Sequence, residues 1–117
     1  MNVPLLRVAA VFGFLAVALG AFGAHALKGM LAANGMTDVW EKAVLYHFVH
    51  ALALLALAAL PAISRVPAGL FVAGIILFSG SLYLLALTNI TQLGYLTPIG
   101  GVCFLVGWAW LFFTVPR

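Results

Sequence analysis

Tyr46, His47 and His50 fall within one stretch of five residues, followed later in the chain by a second polar run, Ser79-Gly80-Ser81-Leu82-Tyr83. On a helix, Tyr46 and His50 are about 40° apart and His47 and His50 about 60° apart, so all three can face a bundle interior. Imidazoles and phenols are groups that relay protons, ligate metals or hydrogen-bond a polar guest. His25 and Glu41 complete the set. The candidate ligand-binding or polar-network residues are therefore His25, Glu41, Tyr46, His47, His50, Ser79, Ser81 and Tyr83.

The elements that must carry these residues are set by composition. Of 117 residues, 67% are hydrophobic and 6% charged, whereas soluble domains carry about 25% charged residues. Mean hydropathy is +1.27. Several apolar runs reach the roughly 20 residues that span a bilayer core as helix, and the alternation of a transmembrane barrel is missing. The expected fold is all-α: a polytopic membrane protein, one domain over residues 1–117, built as a four-transmembrane-helix bundle. The spans are expected at about 3–27, 39–62, 68–88 and 98–115. A net charge of +3 resting on five scattered Lys and Arg excludes a nucleic-acid partner. Cys103 is the single cysteine, so no internal disulfide is available, and it reads as a small core residue.

Arg7, the apolar run behind it and Ala24-His25-Ala26 imitate a signal peptide, but the run continues to Leu27, longer than an ordinary signal core. The first helix places Ala16, Gly20 and Ala24 four residues apart, with Gly13 and Gly23 nearby, a spacing that lets a second helix approach. Gly80, Gly100 and Gly101 offer the same on the later helices, and self-association through these faces is a further expectation. Between the first two spans, Gly35 should stop a short surface segment, Asp38 should cap the second span with Glu41 at its capping-box position, and Trp40 should sit at the interface. Pro61, Ser64, Arg65 and Pro67 mark the next turn, and Thr97-Pro98 opens the last helix.

Arg7, Arg65 and Arg117 share the side of both termini, while Lys28 and Lys42 lie opposite, so both termini are expected to be cytoplasmic. On that orientation the polar residues occupy the non-cytoplasmic half. Tyr46 and His47 lie about 9 to 10 Å below the outer helix end, and His50 comes level with Ser79 about 15 Å down. A charge at mid-membrane costs about 2.5 to 3.5 kcal/mol, against roughly 0.6 kcal/mol gained by an interhelical hydrogen bond. His50 is therefore expected to be neutral and bonded to Ser79, Ser81 or Tyr83.

Four motifs carry a family resemblance: Leu19-Gly20-Ala21-Phe22-Gly23-Ala24-His25, the Tyr46-His47 and His50-Ala51-Leu52 segment, Leu77-Phe78-Ser79-Gly80-Ser81-Leu82-Tyr83, and Thr97-Pro98-Ile99-Gly100-Gly101 followed by Gly107-Trp108. In this order, over nearly the full length, the chain resembles the YgdD-like small membrane proteins, a class of unknown function that includes the eukaryotic transmembrane protein 256. The resemblance implies four membrane helices and a bacterial inner membrane, and brings no activity or cofactor.

Three kinds of function meet these residues. A structural bundle, or one that binds lipid or another amphipathic molecule in a polar outer pocket, ranks first. Proton or ion translocation through the intramembrane His, Tyr and Glu residues is the alternative, weakened by an inner half without relay groups. A metal site from His47, His50 and Cys103 lacks the further ligands and supporting partners that zinc requires, and no nucleophile has a base beside it, so neither a metal, a cofactor nor catalysis is expected. Membrane lipids are the expected partners.

Overall fold

Asn2 starts the first helix by accepting a hydrogen bond from the Leu5 N–H (3.0 Å), and Pro4 occupies a first-turn position where no donor is needed. The helix, α1 (Val3–Ala24), ends three residues before the expected limit, with His25 as its cap. The computed structural model describes residues 1–60 and 65–114. Within them the chain continues as α2 (Lys28–Ala33), α3 (Thr37–Ala59), α4 (Arg65–Gly74), a π-helical turn (Ile75–Ser79), α5 (Gly80–Thr88), a 3₁₀ turn (Thr91–Tyr95) and α6 (Thr97–Thr114). Among the described residues, four spans are long and apolar enough to cross a membrane: Val3–Ala24, Thr37–Ala59, Arg65–Thr88 and Thr91–Thr114. The chain is thus an all-α, four-helix membrane protein. The expected ends of the second and fourth spans at residues 62 and 115, the turn residues Pro61 and Ser64, and Arg117 lie outside the described residues.

The link from α2 to α3 is tighter than the sequence suggests. The N–H groups of Gly35 and Met36 donate to the carbonyls of Ala32 (3.1 Å) and Leu31 (2.8 Å), with Gly35 at φ +67°, the left-handed closure that glycine favours. This turn delivers the chain into α3 at Thr37, so Met36 occupies the cap and Asp38 falls inside the first turn. Asp38 therefore does not cap, although its carboxylate still lies near the positive helix end.

Trp40 also departs from expectation. It is buried, with Leu31 of α2 and Ala86 of α5 in one cluster. Its indole N–H donates to the Leu19 carbonyl (2.9 Å), and it fits because a Cβ on Gly23 would collide with the indole. Asn34 adds a second tie, its amide donating to the Ala86 carbonyl (3.2 Å).

α3 and the α4–α5 span form the middle of the molecule. α1 packs chiefly on α3, and α6 packs on α4 and the π turn. Toward the termini the helices close on Ala9, Leu54, Leu57, Ala68, Phe71, Ile75 and Phe104. Close approach there depends on Gly74 and Gly107, where an added Cβ would run into the rings of Phe104 and Phe71. At Gly100 it would meet the backbone of Phe78, so α6 touches the π turn backbone to backbone. Gly20 is close to Val44, whereas Gly13 has no neighbour within 4 Å of a built Cβ, and Gly80 and Gly101 have only ordinary contacts. Ala16 is buried and Ala24 exposed. Of the small residues expected to pack, Ala16 is thus buried, and Gly20, Gly23 and Gly100 lie against Val44, Trp40 and Phe78.

Candidate functional site

Because α3 is flanked on both sides, a rotation of about 60° along it is enough to send neighbouring polar side chains to different partners. His47 and His50 are both buried, at 3% and 4% exposure. His47 turns toward α5 and α1: its Nδ1 is 2.8 Å from the Tyr83 hydroxyl, and Phe12 meets the ring edge-on at 5.9 Å. Tyr83 in turn packs at 4.8 Å on Trp40. The Nε2 atom of His47 is buried and has no hydrogen-bond partner among the described residues.

His50 turns the other way, toward α4 and α6. Its ring stacks on Phe104 at 3.7 Å between centroids, with Phe71 edge-on at 5.3 Å. Nδ1 lies 2.8 Å from the Tyr46 carbonyl, and the Trp108 indole N–H donates to Nε2 at 3.0 Å. An indole only donates and a carbonyl only accepts. The two bonds coexist only if Nδ1 carries the single ring proton and Nε2 the lone pair, which makes the imidazole neutral. His50 therefore does not bond Ser79, Ser81 or Tyr83. Ser79 instead donates to the Ala43 carbonyl (2.7 Å), and the Ser81 hydroxyl pairs with the Phe78 carbonyl (2.9 Å) and the Thr97 hydroxyl (2.6 Å).

The candidate residues thus separate into distinct groups. His47, Tyr83 and Trp40 form one cluster, and Tyr46, His50, Phe104 and Trp108 another. Tyr46 is only partly covered, at 40% exposure, and packs on Phe78 at 4.7 Å. His25 and Glu41 are exposed at the α2 end. Trp40 and Trp108 are not among the candidate site residues the sequence singles out, although buried Trp40 and half-exposed Trp108 each supply an N–H donor to this region. A tryptophan near a span end reads first as an interfacial anchor, and nothing local to Trp108 shows that it meets His50 across α3 and the parallel α6.

Three clefts border these clusters. One of about 400 Å³ lies between α1 and α3 and is lined by Gly20, Gly23, Thr37, Trp40, Glu41 and Phe48 among others. A second of about 570 Å³ continues it toward the termini past Gly13, Val17, Phe48, Leu52 and Leu55, sharing Phe48. The third, about 410 Å³, opens between α3 and α6 beside Tyr46, His50, Phe78, Gly101, Phe104 and Trp108. Among the described residues no three His, Cys, Asp or Glu side chains converge to hold a metal.

With this geometry in place, the chain can be set against known proteins. A family profile described as "Protein of unknown function (DUF423)" matches residues 19–101. The UPF0382 membrane protein YwdK of Bacillus subtilis is 47% identical over 105 residues, covering 85% of this chain and 85% of the relative. The UPF0382 inner membrane protein YgdD of Escherichia coli K12 is 44% identical over 112 residues, covering 90% and 83%. UPF0382 membrane protein SAB0533 of Staphylococcus aureus is 46% identical over 106 residues, covering 87% and 86%. No solved structure matches the chain significantly. Four membrane-crossing helices, the matched profile and these relatives together make the chain a member of the DUF423, or YgdD-like UPF0382, family of membrane proteins.

Proposed function

We infer that this protein is a non-catalytic bundle that holds one membrane phospholipid, with an acyl chain laid in the crevice between α1 and α3. The supporting observation is that the two α1–α3 clefts share Phe48 and run from Glu41 to Leu55. That distance is about 21 Å along α3, enough for the hydrocarbon depth of one leaflet, about 15 Å. Glu41 at the α2 end suits the ammonium of an amine-bearing headgroup. In this reading the termini are cytoplasmic, the membrane is a bacterial inner membrane, and the headgroup lies on the outer side. Against a proton relay, the partners of His50 hold its one proton at Nδ1, and His47 belongs to a separate cluster.

Native mass spectrometry of the full chain released from membranes tests this. Wild type should retain one phospholipid, and Gly13→Phe, filling a cleft where a Cβ meets nothing, should retain at least about fivefold less. Equal retention overturns the reading. So does a lipid-free dimer that Gly13→Phe dissociates, which would put a second copy in the crevice.

A further inference from the structure

The cleft between α3 and α6 differs in kind from the α1–α3 crevice, because its walls are rings and it contains a free donor. Tyr46, Phe78, Phe104 and Trp108 line it, with the His50 ring behind them. Tyr46 and Phe104 lie nearly parallel, 17° apart with centroids at 6.2 Å, and His50 continues the parallel set on Phe104. Phe78 belongs to the π turn, a widening that recurs at functional sites. The Tyr46 hydroxyl makes no hydrogen bond to any described residue, whereas the Tyr83, Ser79 and Ser81 hydroxyls are all partnered.

Depth makes that free hydroxyl informative. Tyr46 lies five residues beyond Glu41 on α3, about 7.5 Å further along the axis and so within the outer half of a ~30 Å core. Acyl chains at that level offer no acceptor, and an unpaired hydroxyl in hydrocarbon costs free energy. An occupant that suits both the rings and the donor must be flat, dissolve in the bilayer interior and carry a carbonyl on its ring. We propose that this cleft binds the head of a lipid-soluble quinone, with the Tyr46 hydroxyl donating to a quinone carbonyl and the ring set between Phe78, Phe104 and Trp108. The site is independent of the phospholipid crevice, which opens between α1 and α3.

The test uses the full chain in phosphatidylcholine nanodiscs titrated with a decyl-substituted benzoquinone, read by quenching of tryptophan fluorescence. Saturable quenching is expected in wild type and should be lost in Gly101→Leu, whose new side chain occupies the cleft where a Cβ makes only a 3.8 Å contact with Phe78. Tyr46→Phe keeps the ring and removes the donor, and should weaken binding roughly three- to tenfold, the range of one intramembrane hydrogen bond. Gly13→Phe, in the other crevice, should bind as wild type does. Melting curves of each variant, required to match wild type, separate lost binding from lost fold. Non-saturable quenching in wild type, Tyr46→Phe binding within twofold of wild type, or equal competition by decanol overturns the proposal.

Discussion

At the scale of single residues, the hydrogen bond from Trp108 to His50 makes a sharp prediction. Trp108→Phe leaves the buried Nε2 acceptor without a donor and should cost about 0.6 to 1.7 kcal/mol of unfolding free energy in detergent, the range measured between membrane helices. Trp110→Phe, at a lipid-facing ring without such a bond, should stay within about 0.5 kcal/mol. Equal losses in both variants would remove any special role for the indole N–H. Glycines give a second graded test. Gly100→Ala forces a shift at the Phe78 backbone and should cost about 1 to 3 kcal/mol, while Gly13→Ala should be close to neutral. The types and spacing of Tyr46, His47 and His50 were legible in the sequence. Their partners were not: a 60° difference on one helix becomes two separate clusters only when a helix packs on each side. Gly107 reads from the sequence as a close-contact glycine of the last helix, whereas Gly74 does not, since its role is defined by Phe104 on the facing helix.

Among the elements, the π turn at Ile75–Ser79 controls phase. One extra residue in the turn rotates the helix before it by about 100° relative to the helix after it. Upstream, Phe71 and Gly74 must meet α6, while downstream Ser81 and Tyr83 must meet Thr97 and His47. Deleting lipid-facing Ile76 should therefore abolish cooperative melting, whereas Ile76→Ala should leave the melting temperature almost unchanged. Comparable melting of both variants would show that the phase shift is dispensable. Four apolar runs point to four spans, because hydrophobic length is a local property. The π turn left no trace in the sequence, since Ile-Ile-Leu-Phe-Ser reads equally well as ordinary helix.

For the molecule as a whole, the proposed orientation is open to a direct measurement. In a Cys103→Ser background, cysteine placed at Met36 should react with a membrane-impermeant maleimide added to intact cells, and cysteine placed at Asn2 should react only after the cells are opened. The reverse pattern would invert the protein and move Glu41 to the cytoplasmic face. Arginine placement alone suggested this sidedness, and Arg117, one of the three that did so, lies outside the described residues.

The partnership of α1 with α3 has a consequence in time. α1 leaves the ribosome ahead of α3 and rests mainly on it, and it carries no charged side chain between Arg7 and His25, so it can wait alone in lipid. A hairpin of the two should therefore assemble before α6 has been synthesised. Cysteines at Gly20 and Val44, in the Cys103→Ser background, should already cross-link in chains stalled once Ala59 has entered the bilayer. If the cross-link appears only after α6 is complete, the order of assembly is set by the later helices instead.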